Sequence, residues 1–95
     1  MKAPILALLA FVVMAASPVS AECYADYKAK MDDPLRLHYG VAEVSDASCD
    51  PASASSELEP RLADAGWTLL NVMSTFGPEG LDERKASAGD NFLRY

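Results

Sequence analysis

The chain has 95 residues, about half of them hydrophobic, with 14 acidic against 8 basic side chains and a formal net charge of -6. That length holds one small domain, and that charge argues against a nucleic-acid or anionic-membrane partner, whose phosphates need Lys and Arg. Two cysteines and a single histidine leave little material for metal or nucleophilic chemistry.

Met1, Lys2 and Ala3 form a short basic start, and the uncharged apolar run from Ile5 to Ala16 follows Pro4. The run has the length of a signal-peptide core and falls short of the roughly 20 residues a membrane-spanning helix needs. Ser17 and Pro18 break it, and Val19-Ser20-Ala21 places small residues where signal peptidase reads, so cleavage is expected between Ala21 and Glu22. A retained anchor is the competing reading, and Glu22 ahead of Cys23 argues against a lipid anchor. The expected organisation is therefore a leader over 1–21 and one domain over 22–95, periplasmic or secreted, with no stable membrane anchor after cleavage. Loss of Lys2 takes the net charge to about -7.

Cys23 and Cys49, with 25 residues between them, match neither zinc-site nor redox spacing, and in an oxidising compartment they are expected to pair. Closing such a loop is worth roughly 3 to 4 kcal/mol, comparable to the core contribution at this size.

From Glu22 to Met31 the acids precede the lysines and Tyr24, Tyr27 and Met31 share a helical face, which predicts a short helix ended by Asp33-Pro34. Leu35 to Val44 alternates with period two and predicts a strand. Ser45 to Ser56 reads as a loop bringing Cys49 back to Cys23. Ser56 and Glu59 match a capping box, so a helix is expected from about Glu57, with Pro60 in its first turn, a stripe of Leu58, Leu62 and Ala65, and a stop at Gly66. Trp67 to Phe76 predicts a second strand, and Gly77-Pro78-Glu79-Gly80 a turn. A polar connection, Leu81 to Asp90, leads to a final strand over Asn91 to Tyr95.

These elements predict an α+β fold in which a three-stranded sheet carries a helix on one face in the order β-α-β-β, preceded by the short helix and stapled by one disulfide. The strand-helix-strand part is expected to make a right-handed crossover between parallel strands, with the last strand antiparallel to the second. What covers the other sheet face is open. Leu70, Val72 and Phe76, or their opposite-parity neighbours Trp67 and Leu69, are candidates for a partner's surface.

The segment Gly66-Trp67-Thr68-Leu69-Leu70-Asn71-Val72, following Arg61-Leu62-Ala63-Asp64-Ala65, resembles a family of small uncharacterised β-α-β-β domains in which a helix runs into Gly-Trp-Glu-Leu-Val. Those domains end on an aromatic residue, Phe and a basic residue, which Asn91-Phe92-Leu93-Arg94-Tyr95 matches in part. The likeness spans roughly Leu35 to Tyr95, with Thr68 in place of the acidic residue, and implies architecture; the expected leader, the cysteine pair and the long connection after Phe76 depart from the family's usual form, so that this chain resembles an exported bacterial version of it. It implies no catalytic residue.

His38, on a strand between Leu37 and Tyr39, lacks an identifiable catalytic partner and reads as a partly exposed strand residue. Asp32-Asp33, Asp82-Glu83 and Glu57 with Glu59 lack the alternating oxygen-ligand spacing of a calcium loop and read as solvated surface. Trp67 is expected to anchor the helix against the sheet rather than to stack on a ligand. Leu70 to Leu81 reads as strand end and turn, with a ligand-contacting loop as the alternative. No catalytic, metal or cofactor site is expected. The expected function is a non-enzymatic interaction or self-associating module, with a homo-oligomer or a periplasmic protein as partner. The alternative is a small-molecule binder or minor hydrolase using the 77–90 segment beside the sheet, near His38 and Arg36.

Overall fold

The structure, a computed structural model, describes residues 22–95. The expected leader, including Ala21 of the cleavage site, lies outside the described residues, and no described helix is long and apolar enough to cross a membrane. The fold is a small α+β domain: three antiparallel strands with helices packed on them, and one disulfide between Cys23 and Cys49.

The chain opens on strand β1 (Cys23–Met31), where the sequence predicted a short helix. β1 is the central strand, flanked by β2 (Arg36–Val44) and β3 (Thr68–Phe76) in the order β2-β1-β3. Cys23, Ala25, Tyr27 and Ala29 enter the main core on one face, while Tyr24 and Asp26 are buried on the other. β1 does alternate with period two, Ala25, Tyr27, Ala29 and Met31 against Asp26, Lys28 and Lys30, but the acid-then-lysine order and the i, i+3, i+7 spacing of Tyr24, Tyr27 and Met31 fit a helical stripe as well, and sheet pairing decides between them. Asp26, taken as a helix-dipole charge, is instead an interior ion-pair partner.

A hairpin joins β1 to β2, with Met31 opposite Arg36. In its turn Asp33 holds a left-handed φ of 59°, which Asp tolerates better than most residues. Across the ladder Tyr27 pairs with Gly40, and a β-carbon at 40 would collide with the Tyr27 ring and hydroxyl. The phenol thus occupies the space a side chain would need.

Helix α1 (Pro51–Asp64) begins six residues before the expected start at Glu57. Asp50 is its N-cap, accepting a 2.9 Å hydrogen bond from the Ser53 amide, and Pro51 takes the first helical position, where its missing N–H costs nothing. Ser56 is no cap, since its hydroxyl donates to the Ala52 carbonyl, and Pro60 lies inside the helix. Ala54, Leu58 and Leu62, rather than Ala65, form the buried stripe. Gly66 ends the helix with φ 88°, as its position in the sequence suggests.

β2 and β3 both run antiparallel to β1 and so parallel to each other, but β1 separates them. The order is β-β-α-β rather than β-α-β-β, and the expected side-by-side parallel pair does not form. The ladder between β1 and β3 shifts register between Asp26 and Tyr27 and again between Lys28 and Ala29, leaving Met73 and Leu70 as extra residues. These two side chains are about half exposed, at 47 and 50%.

After β3 a turn of 3-10 helix (Pro78–Gly80) leads into α2 (Asp82–Ala88). Ala88 is buried with Tyr24 and Val41, and Phe76, Leu81 and Phe92 pack around them on the second face. The strand expected at Asn91–Tyr95 is absent. Gly89–Asn91 is a 3-10 turn, Phe92 makes one isolated parallel bridge to Val41, and the Leu93 amide donates to the Val41 carbonyl at 2.7 Å. With β1 at the centre, this segment meets the outer edge of β2 instead of β3.

Two outcomes follow from this packing. Replacing Cys23 and Cys49 together with alanine removes the tie between the start of β1 and the entry to α1. The cost is about 3 kcal/mol and a fall in melting temperature of roughly 12 to 24 °C by calorimetry. Gly40→Ala forces the Tyr27 ring aside and costs about 1 to 3 kcal/mol in urea denaturation.

Candidate functional site

The polar residues of interest lie on opposite faces of the sheet. On the second face, Asp26 is 6% exposed and accepts three side-chain donors: Ser74 Oγ at 2.7 Å, Tyr39 Oη at 2.9 Å and Arg84 Nε at 3.1 Å. Each comes from a different element, so the carboxylate joins β2, β3 and α2 to β1. Burial pushes the Asp26 carboxyl up, but the hydrogen bonds from Ser74, Tyr39 and Arg84, with the Arg84 charge, outweigh it and hold it below the usual carboxylate range. Burial and the bond to Asp26 push the Tyr39 hydroxyl up to about 12.

Arg84 is held from several sides. Its guanidinium lies 3.9 Å from the Phe76 ring centre, and Nη1 donates to the Gly80 carbonyl at 2.7 Å and to Glu83 at 2.8 Å. A β-carbon at Gly80 would meet both the Arg84 side chain and the Phe76 ring, so the Gly77–Gly80 turn is specified by the closure of α2 over Asp26. With its oxygens occupied by donors and its charge matched, Asp26 is a clamp rather than a general base.

On the α1 face, His38 is half-buried in an aromatic group rather than solvated along the strand. Its Nε2 lies 3.0 Å from the Tyr27 hydroxyl, Trp67 meets it edge-on at 4.2 Å, and Tyr95 stacks on it at 5.7 Å. Nδ1 is buried without a hydrogen-bond partner. Burial, followed by the nearby Arg94 charge, lowers the His38 pKa from its ordinary 6.5. Trp67 is partly buried against the main core, with the Arg36 guanidinium 5.7 Å from its ring centre.

The 77–90 segment covers the face opposite the His38 ring, so it does not lie beside His38 as the hydrolase alternative required. Ser74, whose hydroxyl donates to Asp26, has the sheet between it and the imidazole. The surface carboxylates are dispersed: Asp32 pairs with Lys30, and Glu57 accepts from Ser45 and Arg61. Among the described residues no three His, Cys, Asp or Glu side chains converge closely enough to hold a metal ion.

α2 is only seven residues long and covers one end of the second face. The other end is open. There Lys28, Leu37 and Leu70, with Ala29 and His38, line a depression of about 260 Å³. A broader and shallower cleft, lined by Lys28, Tyr39, Glu83, Arg84 and Ser87, adjoins it. Leu37 is 67% exposed, and Leu35 in the hairpin turn is 64% exposed. The sequence indicated an unsatisfied face and named Leu70 with Val72 and Phe76, but the register shifts in β3 split that set: Val72 packs with Trp67 and Leu69 on the main core, and Phe76 packs with Ala88 on the second face. The sequence did not indicate Lys28, or Leu37 as exposed, because both depend on how far α2 reaches.

No family model matches the chain, and neither the curated proteins nor the solved structures yield a match.

Two measurements check the polar groups. Asp26→Ala leaves Arg84, Tyr39 and Ser74 without their shared acceptor and is expected to cost about 3 kcal/mol in urea. Because the folded His38 pKa is lowered, the unfolded chain takes up the proton first. The His38 contribution is thus complete above pH 6.5 and declines as pH falls from there through the folded value. His38→Gln is expected to flatten that part of the stability-pH curve, measured by denaturant midpoint.

Proposed function

We propose that this protein is exported and acts outside the cytoplasm as a non-enzymatic interaction module that binds a polypeptide through the open half of its second sheet face. The observation that carries this reading is the exposure of Leu37 and Leu70 around a depression on a face whose other half is closed by α2. An apolar opening is costly on so small a domain unless a partner covers it. The Cys23–Cys49 bond suits an oxidising compartment, and the leader over 1–21 supplies the route. The likeness of Gly66–Val72 to small uncharacterised β-α-β-β domains adds nothing to this reading, since the order here is β-β-α-β. No cofactor enters this reading. A small-molecule site or minor hydrolase between the 77–90 segment and His38 draws less support, because those groups occupy opposite faces.

Crosslinking in intact cells tests the proposal. Protein expressed with its own leader is expected to begin at Glu22 by N-terminal sequencing and to form discrete adducts with itself or another protein. Leu37→Asp with Leu70→Asp is expected to abolish them at unchanged far-UV circular dichroism. Adducts that persist in the double variant, or none in the wild type, would overturn the assignment of this surface.

A further inference from the structure

Lys28 bears on the chemistry of what the open half of the second face can hold. This residue sits at the middle of the central strand, opposite Tyr39 on β2 and Asn71 on β3, and its side chain is exposed. Among the described residues every other lysine and arginine has a partner: Lys30 an aspartate, Arg61 and Arg84 carboxylates, and Arg36, Lys85 and Arg94 aromatic rings. Among the described residues Lys28 meets no ion pair, side-chain hydrogen bond or ring.

Lys28 also stands where the two depressions of the second face meet. On one side lie Leu37 and Leu70, on the other Tyr39, Arg84, Glu83 and Ser87. An occupant that satisfies both sides brings one negative group to the ammonium and an apolar group to the leucines. Glu83, 71% exposed on its side chain, repels a second anion, as does the net charge of -6, which disfavours phosphate-rich ligands. A second copy stacked on this face about a two-fold axis passing through Lys28 would set Lys28 against Lys28, so like charges oppose that particular arrangement. The shallow shape suits an extended chain lying across the sheet.

We propose that the open half of the second face binds an extended polypeptide segment of another protein, carrying one carboxylate side chain beside a large apolar one. The carboxylate pairs with Lys28, and the apolar side chain sits between Leu37 and Leu70. This rests on the interaction-module reading and deepens it.

The test is selection of random linear peptides displayed on phage against the exported protein, followed by fluorescence titration of the enriched peptides after synthesis. Enrichment of Asp or Glu next to Leu, Ile or Phe is expected. Lys28→Glu is expected to weaken binding about tenfold or more, with Lys28→Arg close to wild type and the thermal melt of both unchanged. Enriched peptides without an acid, or with affinities indifferent to Lys28→Glu yet abolished by Leu37→Asp with Leu70→Asp, would overturn the assigned chemistry and leave the interaction reading standing. Binding indifferent to the leucine pair, or no enrichment at all, would overturn both. Octanoate competing for the same site with the same dependence on Lys28 would replace the polypeptide by a small amphiphile and overturn the proposal.

Discussion

A central strand in a domain this small has to be sheltered on both sides by whatever the rest of the chain can supply, and β1 is sheltered in two chemically different ways. Toward α1 the cover is apolar: small residues at Ala25 and Ala29 admit the helix, and Tyr27 reaches over Gly40. Toward α2 it is ionic, since Asp26 holds Arg84, Tyr39 and Ser74 together. The first cover arises from ordinary hydrophobic burial. The second depends on matched charge, because an unpaired buried carboxylate would be strongly destabilising.

This division explains why one side is complete and the other is not. α1 spans 14 residues and is tied down by its own cap, by Glu57 on Ser45 and by Arg61 on the Glu43 and Tyr95 carbonyls. α2 has half that length and is held chiefly through Arg84 and Ala88. It closes over the Asp26 end of the sheet and stops short of Leu37 and Leu70. The uncovered end is thus a consequence of how far α2 reaches across the sheet, and the proposed binding surface occupies it.

Much of the architecture was legible in local patterns that tertiary packing did not override. The alternation in Leu35–Val44 gave β2, the apolar run before Phe76 gave β3, and Gly66 marked the end of α1 through its left-handed backbone. The failures share a cause. Each is a local helical signature that tertiary pairing overrode: the spacing of Tyr24, Tyr27 and Met31 with the acid-then-lysine order masked the period of two in Ala25–Met31, and the Ser56–Glu59 box competed with the true start at Asp50-Pro51. Of the site, Leu70 was visible as an apolar residue in need of cover. Lys28 was not, since one lysine resembles another until the neighbouring charges are placed.

The two register shifts in β3 bear on how its edge can pair with other strands. Each inserted residue bends the strand and increases its local twist, so the outer margin of β3 is a poor template for adding one molecule after another through main-chain bonds. The same irregularities that present Leu70 and Met73 to solvent therefore oppose growth into fibres along that edge.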